Sequence, residues 1–166
     1  MSTNITDYPN VRNRLAELGC NDPRGFAILP VNFESAHSIA DFRNLSEAAT
    51  VKKLLRNADL PHGDLVDRES RPPYIQNNTF EWVAPTLFIS GSLASENPYL
   101  VSVALGTIAN YVTGFLNGFA GSSNHTVKVD IVVEQNKTAA CKKITYEGPP
   151  EGLKDLAEVV RATSNE

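Results

Sequence analysis

The segment NPYLVSVALGTIANYVTGFLNGF, residues 97–119, carries no charged side chain. At about 1.5 Å of rise per residue it is long enough to cross a bilayer. Its content points elsewhere. Ser102, Thr107, Asn110, Thr113 and Asn117 are spread along it, and glycines stand at 106, 114 and 118. Glu96 precedes it, and the first cation after it is Lys128. A helix in lipid has a more continuous apolar surface and basic flanks. The segment therefore reads as a helix that protein must cover, and no membrane span is expected.

Two faces run along this helix. Val101, Leu105, Ile108, Val112, Phe115 and Phe119 recur at three or four residues and form an apolar stripe. Ser102, Gly106, Asn110, Gly114 and Gly118 recur every four and form a stripe of small side chains. A glycine inside a helix costs roughly 1 kcal/mol relative to alanine, so three of them call for a close neighbour. That neighbour is either another element of the same chain or a second protein. In the second case Tyr111, Phe115 and Phe119 anchor the interface. Asn110, in the middle of the stripe, then pairs with its counterpart in a homodimer. Asn97 and Pro98 suit the cap and first turn of the helix.

The rest of the chain supports one α+β domain over residues 1–166. The hydrophobic fraction is 42% and the charged fraction 20%, enough apolar content for a single core. Residues 9–18 read as a short helix stopped by Gly19. Residues 25–33 read as a strand that Pro30 confines to an edge or a bulge. Residues 46–59 form a helix capped by Ser46, with Ala48, Val51, Leu55 and Ala58 inward. Residues 80–92 read as a strand broken near Pro85. Val127, Val129, Ile131 and Val133 alternate with Lys128, Asp130 and Glu134, the period of a half-buried strand. Residues 140–147 return as its hairpin partner. A closing amphipathic helix turns Leu153, Leu156, Val159 and Val160 inward. The expected fold is a mixed sheet of about four strands. It contains a strand–long helix–strand unit and the C-terminal hairpin, with helices packed on it.

Charge and cysteine content narrow the function. The net charge is −4, from 15 Lys+Arg and 19 Asp+Glu, with no basic tract, so nucleic acid is not an expected partner. Cys20 and Cys141 are too few for a disulfide framework or a cysteine zinc site. The opening MSTNITDYPNVRNR lacks the basic-then-apolar order of a secretory signal, so a cytoplasmic protein is expected. No cofactor is expected, and neither a Walker loop nor the G-x-S-x-G elbow of a serine nucleophile is present.

Three polar groupings remain. Residues 60–79 form a long loop with little periodicity, and such loops are usually functional or mobile. His62, Asp64 and Asp67 within it suit a general base or a metal in a small hydrolase, or are simply solvated. Glu34 and His37 would share a face if helical, the E-x-x-H spacing of di-iron bundles, but no second copy exists. The run ISGSLASENP places Ser90, Ser92 and Ser95 before a helix, where backbone N–H groups can hold an anionic small molecule. None of these spacings defines a reaction. The leading expectation is a non-catalytic assembly module that binds protein, itself or another subunit, through the uncharged helix.

Overall fold

The computed structural model describes residues 2–75, 82–117 and 126–166. In chain order the elements are β1 (Ser2–Tyr8), α1 (Val11–Leu18), β2 (Phe26–Leu29), β3 (Asn44–Leu45), α2 (Glu47–Asn57), β4 (Tyr74–Ile75), β5 (Trp82–Val83), β6 (Thr86–Ile89), α3 (Gly91–Glu96), α4 (Pro98–Asn117), β7 (Val127–Glu134), β8 (Cys141–Gly148) and α5 (Leu156–Ser164). Short 3₁₀ turns lie at Ile39–Asp41, Arg68–Ser70 and Pro150–Asp155.

The sheet is mixed, in the order β1-β8-β7-β6-β2. β7 and β8 form the expected antiparallel hairpin, with Ile131 opposite Ile144. β6 runs parallel to β7, so the segment between them is a strand–helix–strand crossover built from α3 and α4. β5 also pairs in parallel with β7. From Val83 to Leu87 the β5–β6 side uses one more residue than β7 does between Lys128 and Ile131. That extra residue sits at Ala84–Pro85, where proline lacks a ladder donor. The break at Pro85 is thus real, and residues 90–92, read as strand from sequence, instead open α3. Phe80 and Glu81 lie outside the described residues.

Strand β1 went unread because STNITDY has one large aliphatic, Ile5, and that side chain is half exposed. It is held by backbone pairing with β8 from Cys141 to Glu147 rather than by a buried stripe. β2 closes the other edge, as Pro30 requires.

Alternation along the strands sends side chains to two cores. Ile131, Val133, Ile144, Leu87 and Ile89 join Val51 and Leu55 of α2, Leu105, Ile108 and Val112 of α4, and Leu156 and Val160 of α5. The opposite face carries Val132, Phe88, Ala27 and Leu29 against Val11 and Leu15 of α1 and the rings of Phe33 and Phe42. The second core explains why Glu134, expected to face solvent, is buried: α1 covers that end of β7. Ser46 occupies the expected position before α2, but its side chain makes no cap bond and its hydroxyl meets the Glu47 carboxylate instead.

The long uncharged helix has one covered face. Val101, Leu105, Ile108 and Val112 are buried, joined by Ala104, Ala109 and Leu116. Nothing among the described residues covers the glycine face. A Cβ built on Gly106 or Gly114 would have nothing within 4 Å. Cover of this face by the same chain, one of the two sequence-based expectations, is therefore not what the described residues show. The larger side chains of the apolar stripe do the packing and turn the small ones outward.

The edge at β2 is extended by the loop that follows α2. The Phe26 N–H donates to the Pro61 carbonyl at 3.0 Å, and the Gly63 N–H donates to the Phe26 carbonyl at 3.0 Å. Gly25 makes this possible. Its φ is +82°, and a Cβ there would lie 2.6 Å from the Pro61 carbonyl oxygen. Gly25→Ala should therefore destabilise the fold by about 2–3 kcal/mol, combining left-handed strain with the steric clash. The expected drop in Tm is roughly 5–10 °C by calorimetry; an unchanged Tm would show that the loop is not clamped to β2 in this way.

Candidate functional site

Two features of the fold are open to other molecules: the outer face of α4, and a cleft beneath the loop clamped to β2. The expected anion site at Ser90–Ser95 is already occupied by the chain. Ser90 caps α3 by accepting from the Leu93 N–H at 3.4 Å. The next N–H, of Gly91, donates to Oε1 of Glu134 at 3.0 Å. Glu134 is in turn held by Arg12 of α1, with Nε to Oε2 at 2.6 Å and Nη2 to Oε1 at 3.2 Å. Arg12 also pairs with Asp22 and lies over the Phe88 ring, 5.9 Å from its centroid. A Cβ on Gly91 would come within 2.9 Å of the Glu134 carbonyl oxygen, so only glycine fits beside this carboxylate. The hydrogen bond to Glu134 is the first cause that holds the Arg12 guanidinium above its ordinary pKa.

The other polar candidates are not brought together. Residues 31–35 form turns, so Glu34 and His37 share no helical face, and both are exposed. The His37 N–H donates to Oδ2 of Asp41 at 3.0 Å, which uses that carboxylate for a turn. His62 makes a ring contact from Nδ1 to the Leu60 carbonyl at 2.9 Å. Asp64 pairs with Lys52 of α2 at 3.1 Å, and Asp67 is exposed ahead of the 3₁₀ turn at Arg68–Ser70. Among the described residues no three His, Cys, Asp or Glu side chains are grouped to hold a metal ion.

On the outer face of α4, Ser102, Asn110 and Gly114 are exposed and Gly106 is half-buried. Tyr99, at the start of the same face, is 74% exposed. The threonines do not make this face strongly hydrophilic. The Thr107 hydroxyl donates to the Val103 carbonyl at 2.7 Å and the Thr113 hydroxyl to the Ala109 carbonyl at 2.8 Å, so each satisfies itself on its own helix. At the C-terminal end Tyr111 and Phe115 stack with centroids 6.3 Å apart, and Phe115 is 43% exposed. Gly118 and Phe119, also expected at this interface, lie outside the described residues.

The cleft is a cavity of about 60 Å³ between α2 and the 63–74 loop, with Ile28, Pro30 and Phe42 among its apolar lining. Its polar lining includes Asn44, Lys52, Asp64, Arg68 and Arg71. Asn44 is held in place through its backbone, its N–H donating to the Pro73 carbonyl at 3.1 Å and its strand pairing in parallel with β4. The residue is only 7% exposed, yet Oδ1 has no hydrogen-bond partner. A buried carbonyl left unpaired costs roughly 1–3 kcal/mol. Sequence reading missed Asn44 because its only visible signal, the N-L-S triplet, is common in a chain rich in Asn and Ser.

Comparisons of the chain with protein-family models, with curated proteins and with solved structures return no match.

Two measurements test this geometry. Glu134→Gln keeps the shape but removes the ion pair, and should lower stability by roughly 2–3 kcal/mol. That is below the 3–5 kcal/mol of a fully buried pair, because the Arg12 side chain is 31% exposed. Urea denaturation of Glu134→Gln, Arg12→Met and the double variant should give non-additive losses; additive losses would mean the two side chains are not coupled. Burial pushes the Cys141 thiol above its ordinary pKa, and Cys20 is raised for the same first reason. A raised pKa leaves little thiolate at pH 8. Native protein should therefore react slowly with a disulfide reagent, with half-buried Cys20 modified before buried Cys141; rapid reaction of Cys141 would contradict the described packing.

Proposed function

We propose that this chain is a non-catalytic assembly module that pairs with a second copy of itself across the outer face of α4. The observation that carries the reading is the open space at Gly106 and Gly114 on a helix of 20 residues without a charge. Rows of residues four apart form ridges, and a row of small side chains is a low ridge over which a neighbouring helix can come close. Here that row is Ser102, Gly106, Asn110 and Gly114, and small side chains let a second backbone come near. Two such rows pack into each other at a crossing angle of about −50°. A second copy suits this face better than an unlike partner. The face offers no charge for a complementary surface, whereas the Asn110 amide is donor and acceptor at once and can pair with itself across a twofold axis. Tyr99 and the Tyr111–Phe115 stack border the contact with large rings. The unpaired thiols of Cys20 and Cys141 suit a reducing, cytoplasmic setting for such a module.

Light scattering after size exclusion should return twice the 18.1 kDa of one chain at micromolar concentration. A Cβ added at Gly106 or Gly114 meets nothing within 4 Å, so Gly106→Leu and Gly114→Leu are expected to extend into the groove. Leucine is also the better helix former by nearly 1 kcal/mol. These variants should therefore fold at least as well as the parent yet run as monomers. A parent protein that is monomeric at these concentrations, or variants that stay dimeric, would end the proposal.

A further inference from the structure

We propose that the outer edge of β1 pairs with the β1 of a second copy, joining the two sheets antiparallel across a twofold axis at Ile5. This contact is separate from the one on α4 and does not depend on it. The molecule treats its two sheet edges differently. At β2 the edge is closed: Pro30 follows the strand, the Phe26 N–H donates to the Pro61 carbonyl, and the Phe26 carbonyl accepts from the Gly63 N–H. At β1 the edge is open, and among the described residues no strand lies beyond it. Every second residue there turns its N–H and C=O away from β8. Natural edges are ordinarily blunted by a lysine, a proline, a bulge or shortness. Ser2–Tyr8 has none of these. It is seven residues long, its register against β8 runs without a skip, and its one charge, Asp7, is bonded by Lys142.

The side chains of the strand select its own copy as the occupant. Leu87, Ile131 and Ile144 stand side by side across β6, β7 and β8 and belong to one core. Ile5 lies opposite Ile144 on that face and ends the row 51% exposed. A second β1, run antiparallel with Ile5 opposite Ile5, sets an identical aliphatic beside it and continues the row into the next sheet. The same register is complementary at its other positions. Asn4 of each copy faces Thr6 of the other, an amide beside a hydroxyl. Asp7 of each faces Thr3 of the other, so the two carboxylates lie at opposite ends of the contact. The twofold axis makes each of these matches twice. One strand is a small contact, so the pairing is weak, with a Kd of about 0.1–1 mM, well above the micromolar range of the α4 contact.

The test uses the full chain carrying Gly114→Leu, which blocks the α4 contact, so that failure of one contact is not read as failure of the other. Sedimentation should show the mass rising from 18.1 kDa toward twice that value between about 10 µM and about 1 mM. Over the same range amide hydrogen exchange should slow at alternate residues of β1. Ile5→Lys changes a half-exposed side chain and should keep the fold, checked by Tm. It sets two ammonium groups against each other at the axis and should weaken association at least about tenfold. Ile5→Val should retain association. A mass of 18.1 kDa at every concentration would overturn the proposal and leave the edge to an unlike strand. So would association untouched by Ile5→Lys, or association without slowed exchange in β1, since either places the contact elsewhere.

Discussion

The structure is organised around a carboxylate that the chain supplies to its own helix. Glu134 ends β7, accepts from the Gly91 N–H at the start of α3, and is gripped from the other side by Arg12 of α1. A parallel pair such as β6–β7 needs a crossover, and the crossover must leave the sheet next to the strand it will rejoin. The Glu134 contact fixes that departure point. It also joins the two cores, because α1 lies over one face while α3 leads into the helix that covers the other. A buried charge is tolerated here because both of its oxygens are bonded and its partner is an arginine with two usable N–H groups.

From that start α4 runs for 20 residues with two unlike faces. The inner one behaves as an ordinary core stripe, with valine, leucine and isoleucine against the sheet and α5. The outer one is defined by what it lacks: charge, bulk at positions 106 and 114, and threonine O–H donors free for water. Glycines in a helix weaken it, and they let a neighbouring backbone come close. No described atom lies within 4 Å of a Cβ at those positions, and the second molecule we propose there would fill that space.

The loop after α2 shows a different economy of contacts. Its first part adds to the β2 edge through Pro61 and Gly63, and its last described residues pair with Asn44 and Leu45. Pinned at both places, the chain between them roofs a cleft instead of filling it. Backbone pairing holds Asn44 on β3, where its side-chain oxygen is buried without a partner. The residues that seemed chemical in sequence, His62, Asp64 and Asp67, serve the loop's own bonds, an ion pair and the surface.

Much of the architecture was legible before any coordinates. The alternation Val127–Val129–Ile131–Val133 marked a strand, Pro30 placed β2 at an edge, Pro85 marked a break, and the spacing of Val101, Leu105, Ile108 and Val112 identified the inner face of α4. Periodicity reports which side chains one element buries, and these elements bury theirs strongly. Strand β1 was not legible because it buries almost nothing; its stability comes from hydrogen bonds to β8, which any residue but proline can make. The sites were less legible still. That Glu134 would fill the helix N-terminus, that the glycines of α4 would face outward, and that Asn44 would be buried without a partner all depend on distances between segments far apart in the chain. Local sequence determined the elements and their apolar faces, since helix and strand periods act over a few residues. Only tertiary packing decided which polar groups were satisfied and which surfaces stayed open, since satisfaction depends on where distant atoms come to rest.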